Sequence, residues 1–145
     1  MPKRLTDSRF FFTINPNVVV SPGESRFQEV IDKLKSFVDE KFSEQNIHEY
    51  LVFSNGGSIS DVKSVEFFKS LEYGEKNQHP HLHCFLIVKK WCNNIRLNFS
   101  SIRKELDSLF DHKVHFNNKM IRSASDRDKI LNYMKKGAVK YSSFS

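Results

Sequence analysis

Val65-Glu66-Phe67-Phe68-Lys69-Ser70-Leu71-Glu72-Tyr73, then Gly74-Glu75-Lys76-Asn77-Gln78, then His79-Pro80-His81-Leu82-His83-Cys84-Phe85-Leu86-Ile87-Val88-Lys89-Lys90, is the stretch from which the fold is read. Two apolar and aromatic runs flank a polar loop, which predicts a hairpin with strands over Val65 to Tyr73 and Leu82 to Lys90. Side chains alternate along a strand, so His81 and His83 share one face while Leu82 and Cys84 take the other. Cys84 is then a small apolar packing residue on the face away from the histidines. Pro80 interrupts the strand pattern and leaves His79 in the loop.

Working outward, Arg9 to Ile14 is an aromatic and β-branched run ended by Asn15-Pro16-Asn17, a strand entering a loop. Ser21-Pro22-Gly23-Glu24 precedes apolar residues at Phe27, Val30, Ile31, Leu34, Phe37, Val38 and Phe42, whose intervals of three and four predict an amphipathic helix. Glu49 to Ser54 reads as a strand closed by the turn Asn55-Gly56-Gly57-Ser58. Ile102, Leu106, Leu109 and Phe110 mark a second helix starting near Phe99, and Lys113 to Phe116 a short strand. Ser125-Asp126-Arg127-Asp128 offers an N-cap for a third helix reaching about Lys136, with Gly137 as its stop. The order β-α-β-β-β-α-β-α predicts an α+β domain: a central antiparallel five-stranded sheet flanked by helices, packed against one side.

Composition bounds the class. A chain of 145 residues suits one domain over 1–145, with no room in it for a motor domain. Hydrophobic content of 39% with 14 Phe means a packed core rather than disorder. No apolar run approaches the ~18 residues that span a bilayer, and Met1-Pro2-Lys3-Arg4 leads into polar Thr6, Asp7 and Ser8 rather than a signal peptide. The expectation is an intracellular protein with no membrane partner. Cys84 and Cys92 are too few for a disulfide framework or a zinc ribbon. A net charge of +6 and pI near 9.3 favour a polyanionic partner, most simply nucleic acid.

The chemistry-bearing residues fall into two groups. His81 and His83, with an upstream carboxylate, make a small divalent-cation site, and the carboxylate shifts preference toward Mg²⁺ or Mn²⁺. Glu72 ends the preceding strand, where the hairpin brings it beside His81; Glu75 serves instead if that strand runs further. An isolated His-x-His is more often a polar pair on a solvated face, so the second group decides. Tyr133 and Lys136 lie one helical turn apart. Alone, Tyr133 belongs as well to the apolar stripe of Ile130, Leu131 and Met134, and lysines in a last turn suit the helix dipole regardless of chemistry. A cation site, a tyrosine hydroxyl and a lysine together suggest phosphoryl transfer through a covalent tyrosine intermediate. Tyr141, in the tail, has no lysine three residues on. Arg9, Lys119, Arg122 and Arg127 flank these segments and are candidate phosphate contacts.

Three of these segments, in order, carry a family resemblance: Phe10-Phe11-Phe12-Thr13-Ile14-Asn15-Pro16, His81-Leu82-His83, and Tyr133 to Lys136. The chain resembles the HUH endonuclease domain of replication initiators (Rep proteins) of circular single-stranded DNA viruses and related plasmids, over nearly its whole length. The resemblance implies the HUH fold, related to ferredoxin-like and RNA-recognition-motif topologies. It implies Glu72, His81 and His83 as ligands of Mn²⁺ or Mg²⁺, favouring Glu72 over Glu75. It implies in-line attack by Tyr133 on single-stranded DNA at an origin stem-loop, assisted by Lys136. The products are a 5′-phosphotyrosine and a free 3′-hydroxyl that primes rolling-circle replication, and reversal rejoins the ends. Thr13 and Asn15 carry over as DNA contacts; the first motif is one residue shorter than the Phe-Thr-x-Asn-x-Pro form of some relatives. Family members usually continue into a helicase, and no G-x-x-x-x-G-K-S/T loop occurs here. Two readings stay open: an endonuclease domain cut from a longer protein, whose partners would include a helicase domain or an oligomeric Rep, or a naturally short protein. A eukaryotic viral source implies work in the host nucleus. Two other classes fit part of the pattern: a non-catalytic RNA-recognition-type binding module, and a single-tyrosine HUH transposase or relaxase.

Overall fold

A computed structural model describes residues 4–21, 23–54, 56–73, 79–91 and 94–136, the side chains of Lys135 and Lys136 excepted. The elements are β1 (Thr6–Asn15), α1 (Ser25–Lys41), β2 (Leu51–Phe53), β3 (Val62–Tyr73), β4 (Pro80–Lys90), β5 (Ile95–Leu97), α2 (Phe99–Phe110), β6 (His115–Ile121) and α3 (Ala124–Lys136), with short 3₁₀ turns at Ile47–Glu49 and Ile59–Asp61. The α+β class and the antiparallel hairpin are as expected. Among the described residues no helix is long and apolar enough to cross a membrane.

The main sheet has four strands in the order β3-β4-β1-β6, every neighbouring pair antiparallel. This corrects the expected five. The segment expected as the second strand pairs instead with β5 in a separate two-stranded sheet. Its first residues form the 3₁₀ turn, and only Leu51–Phe53 is extended. The pairing is prolonged by Asn98 N–H donating to Tyr50 O at 2.7 Å and Ser54 Oγ donating to Asn94 O at 2.9 Å. β5, Ile-Arg-Leu, is too short to show a strand's alternation by itself. β6 runs on past Phe116 to Ile121, and β4 begins at Pro80 rather than Leu82. Pro80 takes the first strand position, where a missing N–H is tolerated.

Helices cover both faces, which corrects the expectation of one. α1 and α2 bury Phe27, Ile31, Leu34, Val38, Ile102 and Leu106 against Phe10, Phe12, Ile14, Leu82, Cys84 and Leu86 of the central strands. α3 lies on the other face, where Met134, Ile130 and Leu131 pack on Phe11, Phe68, Phe85, Ile87 and Ile121. β4 is therefore buried on both sides over Cys84 to Val88, as its unbroken apolar run requires. The cap of α3 is Ser123, two residues before the expected segment: its Oγ accepts the Asp126 N–H at 3.1 Å. α2 begins at Phe99 as expected, with the Asn98 side chain accepting the Ser101 N–H at 3.1 Å. It ends on Asp111 with φ of 57°, a left-handed position that Asx residues tolerate. Gly137 and the loop Gly74 to Gln78 lie outside the described residues.

Candidate active site

Residues directly opposite in an antiparallel pair share a face, so the registers define what stands beside the histidines. Glu72 pairs with His81, and Asn15 with His115. One step along, Ser70, His83, Thr13 and Asn117 form a continuous row across the four strands. The next row is Phe68, Phe85, Phe11 and Lys119. The sheet face is thus polar at one end and apolar in its middle. α3 sits on the apolar row and carries Tyr133 over the polar end. Its last turn is fastened to β3 by Ser70 Oγ, which donates to Met134 O at 3.3 Å.

Thr13, Asn15, Glu72, His81, His83, His115, Asn117 and Tyr133 line one open cleft of about 420 Å³. His83 Nε2 lies 2.7 Å from Glu72 Oε2. A carboxylate only accepts, so Nε2 carries the hydrogen. The other ring nitrogen, Nδ1, is 2.8 Å from Thr13 Oγ1, which fixes the ring's orientation. Tyr133 Oη donates to the same Glu72 Oε2 at 3.3 Å, and the phenol ring meets His83 edge-on at 5.8 Å between centroids. Phe11 stacks on His83 at 5.9 Å and 10°. Three elements remote in sequence thereby meet at one carboxylate.

The electrostatics follow from that carboxylate. The His83 hydrogen bond, with the charges of His83 and His81, holds Glu72 below its ordinary value despite partial burial. Burial pushes the Tyr133 phenol up, and the Glu72 charge and hydrogen bond push it further. Burial also lowers His81, against the opposing pull of Glu72. Charge therefore concentrates on Glu72, with His81 favoured as a neutral base.

Among the described residues no set of three His, Cys, Asp or Glu side chains stands in ready metal-ligating geometry. Glu72 and His83 are closed on each other by a 2.7 Å hydrogen bond. The donors themselves suit a divalent cation. They are two imidazoles and a carboxylate on one sheet face, and His81 Nδ1 is buried with no hydrogen-bond partner. Opening the Glu72–His83 contact frees an oxygen and a nitrogen beside it.

Of the residues singled out from sequence, Glu72, His81, His83, Tyr133, Thr13 and Asn15 are brought together. Arg9 and Arg122 are not. They line a separate recess of about 270 Å³, where Arg9 donates to Asp7 at 3.3 Å and to Arg122 O at 3.2 Å. Arg9 is four residues from Thr13 along β1, roughly 13 Å at strand rise. Arg127 is engaged with Asp7 and Asp128, while Lys119 is exposed on the site face. The backbone of Lys136 lies in the last turn of α3; its side chain, and all of Glu75 and Tyr141, lie outside the described residues. His115 lies inside the expected strand Lys113 to Phe116 but was not singled out as a site residue, and Asn117 was missed because Asn117-Asn118-Lys119 carries no apolar signal and the strand was ended at Phe116. Alternation with Val114 and Phe116 already sets His115 on the face away from the core, and continuing it sets Asn117 beside it.

No family model, no curated protein and no solved structure matches the chain.

Proposed function

We propose that this chain nicks and rejoins single-stranded DNA at a replication origin, with Tyr133 as nucleophile, on a HUH-type fold like that of the Rep proteins it resembles. The observation that carries this is the meeting of the Tyr133 hydroxyl with the Glu72–His83 pair, 3.3 Å from the carboxylate oxygen that His83 holds at 2.7 Å. Tyr133 is half exposed there rather than packed into the apolar patch under α3.

Glu72, His81 and His83 would hold Mg²⁺ or Mn²⁺, which when bound offsets charge on the non-bridging oxygens of the scissile phosphate. Thr13 orients His83, and Glu72 orients the Tyr133 hydroxyl. Tyr133 Oη attacks phosphorus in line, the bond to the 3′-oxygen breaks, and the chain is left joined to the 5′-phosphate. Attack by a 3′-hydroxyl on that phosphotyrosine reverses the step. Lys136, one turn beyond Tyr133, is proposed to neutralise the phosphate. Transposases and relaxases with HUH chemistry share this step and differ in the DNA they act on.

A binding module of RNA-recognition type reads bases with aromatics exposed on the open sheet face. Among the described residues no phenylalanine is exposed, and α3 covers Phe11, Phe68 and Phe85. That arrangement favours the enzyme.

The test is incubation of the protein and Mn²⁺ with labelled stem-loop and random single-stranded oligonucleotides, followed by a denaturing gel. A slow-migrating covalent adduct is expected, lost in Tyr133→Phe and in EDTA. Oligonucleotide binding without adduct, across a pool from which no cleaved sequence can be selected, would sink the proposal.

A further inference from the structure

We infer that His115 is the proton donor to the departing 3′-oxygen, and the base that activates the 3′-hydroxyl in the reverse, joining step; this rests on the nickase function proposed above. Of the proton-carrying side chains described in the cleft, Glu72, His81 and His83 are candidate cation ligands and Tyr133 is the nucleophile. His115 is the titratable group left over.

Its position suits the task. In-line displacement sends the leaving oxygen away from the attacking one. Tyr133 and Glu72 stand at the β3 edge of the cleft, and the strand order β3-β4-β1-β6 puts His115 at the opposite edge. Adjacent strands are ~4.8 Å apart, so the His115 backbone stands roughly 14 Å from that of Glu72 and roughly 10 Å from that of His81, a gap that the side chains and a bound nucleotide strand between them would fill. α3 leaves this side open: it runs from Arg127, beside Asp7 at the start of β1, to Met134, fastened to Ser70 of β3. His115, Asn117 and Lys119 are consequently exposed on the site face, an uncovered strip along which the departing strand can lie.

The atoms balance. A lone pair of Tyr133 Oη forms the new bond to phosphorus, and the pair of the broken P–O bond goes to the 3′-oxygen. That oxygen takes a proton from the His115 imidazolium, leaving a neutral ring. The phenolic proton leaves to water. Rejoining runs the same transfers backward. An imidazole can give a proton to the departing oxygen in one direction and take it back in the other.

The test compares two versions of an oligonucleotide cleaved by the wild type, one ordinary and one with sulfur replacing the 3′-bridging oxygen at the scissile bond. A thiolate, whose conjugate acid has a pKa of about 8.5, departs without a proton; an alkoxide does not. His115→Gln is expected to slow adduct formation on the ordinary substrate by about a hundredfold or more, and to leave the sulfur substrate near the wild-type rate. Oligonucleotide affinity in EDTA, read by anisotropy, should not change. Equal losses on both substrates, or no loss on either, overturns the role of His115 while the wild-type adduct still stands. Failure of the wild type to form an adduct with any sequence in a selected pool overturns the nickase itself, and His115 with it.

Discussion

The two faces of the central strands are made from alternate residues of the same two segments and do opposite jobs. On one face Phe10, Phe12, Ile14, Leu82, Cys84 and Leu86 join α1 and α2 in a core that runs the length of the sheet. On the other, the apolar cluster between α3 and the sheet is short, built on four buried residues, Phe85, Ile87 and Ile121 of the strands and Met134 of α3. Beyond it the same strands turn polar, with Thr13, His81 and His83 half-buried. The difference teaches how this fold separates stability from chemistry. The large core holds the sheet, while the small one serves chiefly to hold a helix over the cleft.

Truncations that hit one face and spare the other should break the comparison most visibly. Phe12 is fully buried among the rings of Phe42, Phe67, Phe99 and Phe116. Phe12→Ala should cost about 3–5 kcal/mol in urea unfolding, a large share of a small domain's stability. Tyr133→Phe, which removes only a half-exposed hydroxyl, should leave the unfolding midpoint almost where it was. Comparable losses in both variants would show that the two faces are one energetic unit.

Met134→Ala sharpens the contrast, because it strikes the smaller core. Met134 is fully buried, with Ile130 and Leu131 packed on the same patch. The cost should sit near the lower end of the 2–5 kcal/mol range, at about 2 kcal/mol, since a helix resting on a sheet can settle into the gap. The adduct yield should fall further than that loss implies, because the Tyr133 hydroxyl reaches Glu72 only through the seating of α3. Unaltered adduct formation at full folding would mean that Tyr133 is positioned by the DNA rather than by this packing.

How far the sequence could carry these distinctions depends on where periodicity speaks. β4 was legible because its apolar run is long, and α1 and α2 because their stripes repeat every three to four residues. That His81 and His83 share a face beside Glu72 was legible from strand parity and the hairpin; that Tyr133 joins them was expected only from the order of motifs the chain shares with the family it resembles. The face chosen by α3 was not legible. Ile130, Leu131 and Met134 declare an apolar stripe without saying which side of the sheet receives it. The same silence hid β5 and the polar half of β6, whose strand character comes from pairing with β2 and β1 rather than from its own residues. Arg9 and Arg122 were grouped with the site because they neighbour its motifs in sequence. An extended strand turns four residues into roughly 13 Å, and the structure sets both in a different recess.

The smallest expected effect lies in how the polar end responds to pH. Glu72 is held below its ordinary 4.5, first by its hydrogen bond to His83, so the fold favours the ionised carboxyl. Its contribution to stability is complete above 4.5 and drains away as pH falls through the lower, folded value. His81 is held below its ordinary 6.5 by burial, so the fold favours the neutral ring. Below 6.5 the unfolded chain takes that proton first, and stability again falls with pH. The two slopes therefore add, His81 acting in the upper part of the range and Glu72 in the lower. The Glu72 side chain is 41% exposed, and water screens its share of the effect. Urea midpoints in EDTA should decline gently from about pH 7.5 to about pH 5.5, and further toward about pH 4. His81→Gln should flatten the first part and Glu72→Gln the second. A wild-type profile that is level throughout this range, or one that neither variant alters, would mean that the hydrogen bonds of the cleft carry no folding energy. The site would then be held entirely by the apolar packing beneath α3.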